Sequence, residues 1–379
     1  MQRILASLSF AVVVAAATSV TISNVNPRTN VTGHIIDAHD GTYNQWTPGG
    51  DWYYYAMGYG TCQQGGDMCH SPCGYGYSWI GIWKSPNMQN GTWELVREAR
   101  DSTWPAGIYF RVHTVYNKKT AKYVMWANND GMSHSYSVGT SSSPEGPFTF
   151  VRSVDAGRGS GGDFDIFVDD DESAFLIYTE KGSHSMAIER LADDYLSSAA
   201  AQPGTDGSFL AAINASDPDP PASNVSSGVI GNEFVEAPAM FKRKGVYYAL
   251  FDNCCCFCGH GSGIGVYTAA QPLGPWVYHN NVGCLANATL APGCGCGMTH
   301  GTCDNYGESL TKAQQNFVIR IPQADGSLQY VWTGDRWQSA EDGVKAHDLQ
   351  YWSVLQFANV GGIDLPLQFT WQDEIQITV

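Results

Sequence analysis

The feature that most constrains this chain of 379 residues is a unit repeated five times. Five short runs share one character, aromatic and β-branched residues beside a polar turn. They are DWYYYAMGYG from residue 51, KYVMWANND from 122, SAFLIYTE from 173, GVYYALFDN from 245 and LQYVWTGDRW from 328. Such side chains pack well on a pleated surface, so each run reads as a strand. With Tyr53, Tyr123, Phe175, Tyr247 and Tyr330 as anchors, the unit recurs at intervals of 52 to 83 residues, and loops absorb the scatter.

A second element follows each anchor, a short apolar strand and then a turn: IGIWKSPNMQNGTWELV, YSVGTSSSPEGPFTFV, SMAIERLADDYLS, GIGVYTAAQPLGPWVY and LQYWSVLQF. Gly-Pro-aromatic closes two of them, at Gly146-Pro147-Phe148 and Gly274-Pro275-Trp276. Strand, turn, strand and Pro/Gly punctuation, five times over, predict an all-β five-bladed propeller of four-stranded antiparallel blades. It would fill residues 25–379 as one domain. A two-sheet sandwich also explains alternating strands, but not the fivefold order. Aromatic residues at 12% and 42 glycines suit such a fold, and no long segment has apolar residues at helical spacing.

The innermost strand of a propeller blade lines the central channel, so residues at one phase of each repeat converge near one opening. Counting back 11 to 13 residues from the first four anchors gives Asp40, Phe110-Arg111, Asp163 and Glu236; in the fifth repeat the corresponding stretch is TKAQQNFVIRI, with Gln314 sixteen residues back. Three acids and an amide at one phase need partners or a polar ligand, because a buried unpaired polar group costs about 1–3 kcal/mol. His39 and His113, next to this set, are candidate contacts for sugar hydroxyls. Trp337 and Trp104 offer flat apolar faces for a pyranose, although with twelve Trp a core role competes for each.

The formal charge of −16, with no basic cluster, excludes nucleic acid as a partner. Residues 1–19 have the layout of a secretory signal, with Arg3, an apolar run and then small residues. The mature chain is expected to begin near Val20 and to be extracellular. No later stretch is long and apolar enough to span a bilayer. Asn30, Asn90, Asn214, Asn224 and Asn287 are N-glycosylation acceptors by sequence. The eleven cysteines cluster around 62–73, 254–258 and 284–303; in an oxidising compartment they are expected to form disulfides across long loops, with one thiol left over. Their spacing does not match paired-CxxC zinc modules, so neither metal nor cofactor is expected. The acidic run Asp169–Glu172 reads as a solvated turn. A monomer is expected.

VEAPAMFKRKGVYYALF resembles the general-acid blade of glycoside hydrolase family 43, in which a Glu precedes Ala-Pro. DFDIFVDDDESAFLIY is similar to the segment carrying that family's third acid. GDRW at Gly334–Trp337 and YNKKTAKYVMW at Tyr116–Trp126 resemble its exo-β-1,3-galactanase branch, and the likeness covers nearly all of residues 30–379. The resemblance implies a glycosidase that inverts configuration, with Glu236 as proton donor, Asp163 as the group that holds and tunes it, and Asp40 as general base. Arg111, His39, His113 and Trp337 are then substrate-binding candidates. The branch usually has Gly at the Asp40 position and a fifth-blade Gln that positions water. Gln314 keeps that amide, and Gln315 matches equally closely. The branch's sugar-contacting second-blade Glu aligns with Phe110. The expected substrate is a galactose-, arabinose- or xylose-containing polysaccharide, with β-1,3-galactan or arabinogalactan first. A catalytically silent sugar-binding propeller is the competing reading.

Overall fold

The computed structural model describes residues 18–64, 78–130, 135–157, 159, 161–180, 184–199, 226–231, 235–253, 259, 261–283 and 309–379. The expected leader up to residue 17 lies outside them, as do ten of the eleven cysteines and the acceptor sequences at Asn214, Asn224 and Asn287.

The described residues are all-β, built almost wholly of antiparallel strands. The first strand, β1 (Ser19–Ser23), pairs with the last, β23 (Glu374–Thr378). Between them the chain lays down sheets in sequence order. The first contains β2 (His39–Gln45), β3 (Trp52–Gly58), β4 (Trp79–Ser85) and β5 (Glu94–Glu98). The second contains β6 (Ile108–Asn117), β7 (Lys122–Asp130), β8 (Tyr136–Ser141) and β9 (Thr149–Val154); a single parallel bridge from Gly41 to Val112 joins it to the first. Then come β10 (Gly161–Val168), β11 (Ala174–Glu180), β12 (Met186–Arg190) and β13 (Ser226–Gly231), followed by β14 (Val235–Arg243), β15 (Val246–Asn253), β16 (Gly265–Ala269) and β17 (Val277–Asn281). A three-stranded sheet of β18 (Gln314–Pro322), β19 (Leu328–Arg336) and β20 (Leu349–Val354) and a small hairpin of β21 (Phe357–Val360) and β22 (Ile363–Pro366) complete the set. The one helical element described is a 3-10 turn at Lys345–His347.

The anchor runs form β3, β7, β11, β15 and β19, the second strand of each sheet, and the segments after them supply the third strands. The first strands touch one another in a closed order: β2 to β6, β6 to β10, β10 to β14, β14 to β18, and β18 back to β2.

The continuous aromatic character of the anchor runs follows from burial on both faces. Successive side chains on a strand point to opposite sides. On β3, Tyr54 joins an apolar cluster with Ile319, Val331 and Trp352, while Tyr55 joins one with Tyr109, Val112 and Met125. β7 divides likewise, Trp126 packing with Phe164 and Tyr178, and Met125 with Ile80 and Ile82. β11 and β15 share a cluster through Ile177 and Ala249, and β15 reaches Trp332 through Leu250. A polar–apolar alternation is therefore absent where a half-exposed sheet would show one.

The acidic run corrects one expectation. Residues 169–173 do form a turn, closed by Glu172 N–H donating to Asp169 O, but Asp169 is not a solvated residue. Its carboxylate accepts from Lys242 Nζ at 2.7 Å and from the Tyr247 hydroxyl at 2.6 Å, with its side chain only 8% exposed. The ion pair between neighbouring sheets makes burial affordable.

Trp332 is fully buried between the fourth and fifth sheets, and its Nε1 donates to Gln315 Oε1 at 2.9 Å. Trp332→Ala is expected to lower the unfolding free energy by about 3–5 kcal/mol, through lost packing and the cavity left behind. Urea unfolding followed by intrinsic fluorescence measures this, and a loss below about 1 kcal/mol would contradict the packing described.

Candidate active site

Each first strand carries a register shift near its start. The shifts fall between His39 and Thr42, Phe110 and His113, Gly161 and Phe164, Glu236 and Ala239, and Gln315 and Phe317. A bulge bends the strand and re-aims the side chains in it. Five bulges at one level therefore turn Asp40, Arg111, Asp163, Glu236 and Gln314 toward a common region. Backbone strain marks the same level: Asp40, Arg111 and Ala237 have φ of 50°, 48° and 47°, in a region that non-glycine residues seldom occupy. Gly41, beside Asp40, has to be glycine, because a Cβ there would lie 1.8 Å from the Tyr55 carbonyl oxygen.

Arg111 ties the region together. Its Nη2 lies 3.0 Å from Asp163 Oδ2, its Nε 3.6 Å from Asp40 Oδ1, and its Nη1 donates to Gln315 O at 2.8 Å. The residue is 2% exposed. Burial opposes its charge, but Asp163 and Asp40 outweigh that and raise its pKa, so the guanidinium stays protonated.

Glu236 is the second residue of β14, with its side chain 18% exposed. Burial raises the pKa of its carboxyl and the negative charge of Asp163 adds to that, against the opposing hydrogen bond from His184. His184 Nδ1 lies 3.0 Å from Glu236 Oε1, and its own pKa is raised, chiefly by that carboxyl. Asp252, the ladder partner of Glu236 on β15, accepts from Glu236 N–H at 3.1 Å and from Ser262 Oγ at 2.9 Å. It is fully buried, and desolvation together with the charge of Glu236 pushes its pKa up to about 8.

Asp40 is 3% exposed, and its Oδ1 has no hydrogen-bond partner among the described residues. Burial raises its pKa to about 7, with Arg111 pulling the other way and Asp335 and Asp163 adding to the rise. The Asp40 N–H donates to Asp335 Oδ2 at 3.2 Å, and Asp335 Oδ1 faces His39 Nδ1 at 3.2 Å.

The two neighbouring glutamines separate by role. Gln314 Oε1 accepts from Trp337 Nε1 at 2.7 Å, and its amide nitrogen makes no hydrogen bond among the described residues. Gln315 is engaged at both ends of its amide, donating to Ala237 O and Leu250 O and accepting from Trp332. Gln315 thus ties β18 to the fourth sheet, and Gln314 is the amide that remains at the site.

The other sequence candidates take supporting places. His39 is 1% exposed, held between Asp335 and Ala346 O. Trp337 is 1% exposed and covered by the Lys345 ammonium 4.0 Å from its ring; it orients Gln314 rather than offering a face to a ligand. Trp104 donates to Phe148 O inside a core cluster. His113 lies further along β6, its Nδ1 3.0 Å from Asp165 Oδ1, away from Glu236. Phe110 packs with Met57, Tyr59 and Trp337 and lends this level an apolar wall.

His184, Asp252, Asp335 and Lys345 were not singled out by phase. Asp252 and Asp335 have a usable signal, since the second, third, fourth and fifth anchor runs each carry an acid at or near their end, at Asp130, Glu180, Asp252 and Asp335. His184 follows β11, its N–H donating to Glu180 O at 3.0 Å, where no repeat phase points to it.

The sequence profile of the glycosyl hydrolases family 43 matches residues 49–292, more than half of the chain. The chain belongs to that family. Among solved structures it is similar to a family-43 β-1,3-galactosidase, with TM-score 0.66 and 19% identity, covering 94% of this chain and 64% of that one. It is also similar to the exo-β-1,3-galactanase of Phanerochaete chrysosporium determined with β-1,3-galactotriose, with TM-score 0.65, 18% identity and coverage of 93% and 67%. A second β-1,3-galactosidase, determined with galactodeoxynojirimycin, gives TM-score 0.64, 20% identity and coverage of 93% and 99%. At these identities the likeness is one of fold, and the chain spans less than two thirds of the length of the first of these proteins. No curated protein sequence matches the chain.

The raised pKa of Asp252 makes a prediction about stability. A carboxyl whose folded pKa lies above its unfolded value of 3.8 contributes stability that is present below pH 4 and is lost as the pH rises through about 8. In Asp252→Asn the amide can still accept from Glu236 N–H and can donate to Ser262 Oγ, with no charge to desolvate. Urea midpoints of variant and wild type are expected to diverge in the variant's favour between pH 5 and pH 9; parallel curves would remove the buried ionisation.

Proposed function

We propose that this chain is a secreted glycoside hydrolase of five-bladed propeller architecture that inverts configuration and acts from the chain end of a galactose-, arabinose- or xylose-containing polysaccharide. β-1,3-Galactan, alone or in arabinogalactan, is the first candidate. The five successive sheets and the closed order of their first strands support the blade count. The leader-like residues 1–19, the acceptor Asn residues and the clustered cysteines support a secreted, disulfide-stabilised glycoprotein. The galactan-directed relatives of similar fold support the sugar.

One observation carries the chemical reading: a largely buried Glu236 with its pKa raised stands at one level with Asp40, on non-neighbouring first strands, with Arg111 and Asp163 between them. Glu236, protonated, gives its proton to the glycosidic oxygen as the bond to C1 breaks. Asp40, ionised, takes a proton from the water that attacks C1 from the opposite face. Arg111 favours the ionised form of Asp40, whose Oδ1 accepts no hydrogen bond among the described residues. The Gln314 amide, fixed by Trp337, orients that water. His184 holds the Glu236 carboxyl in place.

Release of reducing sugar from β-1,3-galactan, arabinogalactan, arabinan and xylan is the direct test. Binding without release by the wild type would favour a silent sugar-binding protein. Glu236→Gln is expected to lower turnover by about 10²–10⁴-fold with binding retained, and activity within about threefold of wild type would remove it from the acid role.

The Asp40 pKa sets the acid side of the pH profile. The base works only when ionised, so kcat/KM is expected to rise with pH through about 7. Gln314→Ala should keep this limb at reduced rate, whereas Asp40→Asn should lose it along with about 10²-fold or more of the activity. The reverse pattern would make Gln314 the group that activates water.

A further inference from the structure

Lys345 is a buried cation to which the proposed hydrolysis gives no part. It opens the 3-10 turn Lys345–His347, and its side chain is 0% exposed. The turn is fastened to its surroundings: Lys345 N–H donates to Cys62 O at 2.9 Å, Asp348 N–H donates to Lys345 O at 3.1 Å, and Ala346 O faces His39 Nε2 at 3.3 Å. An ammonium taken out of water is costly, whereas an apolar side chain of similar length would fill the same space with no charge to desolvate. Packing alone therefore gives no reason for a lysine here.

The ammonium is aimed at aromatic faces. Its Nζ lies 4.0 Å from the centre of the Trp337 ring and 4.6 Å from that of Tyr59, and Tyr59 meets Trp337 edge to face at 5.8 Å. Asp348 Oδ2 is 3.8 Å from Nζ, a long separation for an ion pair. That carboxylate is occupied elsewhere, accepting from the backbone N–H groups of Gln338, Ser339 and Ala340 at 2.8 to 3.0 Å. The backbone just after Trp337 is thus held by Asp348 and its ring is held by Lys345. Gln338, with φ of 60°, marks the point where the chain turns away from β19.

A cation is attracted to an indole face more than to other aromatic faces, and the attraction grows where water is excluded. It also draws electron density from the ring and makes the indole N–H a stronger donor. That N–H goes to Gln314 Oε1 at 2.7 Å. With its oxygen so held, the Gln314 amide keeps its nitrogen for the site, where it makes no hydrogen bond among the described residues. Charge is available for this. Burial lowers the Lys345 pKa to about 8, but Asp348 in its own segment, Asp40 from β2 and Asp335 from β19 oppose the fall, so the side chain is an ammonium at neutral pH. His39 of β2 stands beside the same turn, its ring 5.5 Å from Trp337.

We propose that Lys345 is a positioning residue for hydrolysis: its ammonium fixes and polarises the Trp337 indole, which in turn holds the Gln314 amide toward the attacking water. The proposal rests on the hydrolytic reading in which Gln314 orients that water. Lys345 touches no reacting atom, and its whole effect passes through Trp337. Loss of its proton above neutral pH would release the indole and loosen the amide behind it.

Two measurements on the purified chain test this. The Trp337 indole N–H signal, identified in a proton–nitrogen correlation spectrum by its loss in Trp337→Phe, is expected to titrate with a midpoint of about 8. The step should persist in His39→Gln and vanish in Lys345→Met. In steady-state assays at neutral pH, Lys345→Met is expected to lower kcat by about tenfold with KM within about twofold of wild type. Introduced into Gln314→Ala, the same substitution should change kcat by less than about twofold, because the amide it serves is gone. An indole signal that does not titrate, a step lost in His39→Gln or kept in Lys345→Met, or equal losses of kcat in the two backgrounds would each overturn the proposal. The titration is read on wild type and His39→Gln as well, so a Lys345→Met chain that fails to fold leaves it decisive. A wild type that releases no sugar from any polysaccharide would sink the hydrolytic reading and this proposal with it; an active wild type with a flat indole signal would sink this proposal alone.

Discussion

The guanidinium of Arg111 is the interaction on which the rest of the site depends. From β6 it reaches Asp40 on β2, Asp163 on β10 and a backbone carbonyl on β18, so one side chain links four of the five first strands. Removing a partner from a buried ion pair leaves an uncompensated charge, which costs far more than the pair itself contributes. That asymmetry makes the arrangement strict. Each carboxylate is held where the cation is, and the cation is held where the bulges put it.

The same crowding sets the protonation states. Asp40, Asp163, Glu236, Asp252 and Asp335 stand around one permanent cation, and water is largely excluded. Too few counter-charges are present for every carboxyl to ionise at modest cost, and the raised pKa values of Asp40, Glu236 and Asp252 express this. In the proposed hydrolysis, the acid that keeps its proton and the base that loses one are told apart by their neighbours. Glu236 faces His184 and has the charge of Asp163 adding to its raised pKa, whereas Asp40 has the guanidinium as its leading opposing influence.

Much of this was legible in the amino-acid order because it is periodic. The anchor runs announce strands buried on both faces, and counting back from them reaches Asp40, Arg111, Asp163, Glu236 and Gln314, all of which the structure brings to one level. What the order could not convey is which way a side chain turns beside a bulge. One extra residue moves the following side chains to the other face of a strand. His113 illustrates this: two residues beyond Arg111, it faces Asp165 instead of the region around Glu236. Trp337 is distinguished from a stacking platform only by the burial that Lys345 and His39 impose. His184 lies between β11 and β12, outside the repeated strands.

The pairing of β1 with β23 has a mechanical consequence. Ser19 lies opposite Thr378, and Thr18 and Val379 exchange backbone hydrogen bonds just beyond, so the two ends of the described chain leave the structure side by side. Any leader, anchor or further domain joined at either end would emerge from that same edge. Tension between the ends would load this ladder at its outermost rung first and part it like a zipper, one hydrogen bond at a time. A shearing pull would instead strain all the rungs together. The ring would thus yield at its seam while the five inner strands, with their cation and carboxylates, were still carrying no load.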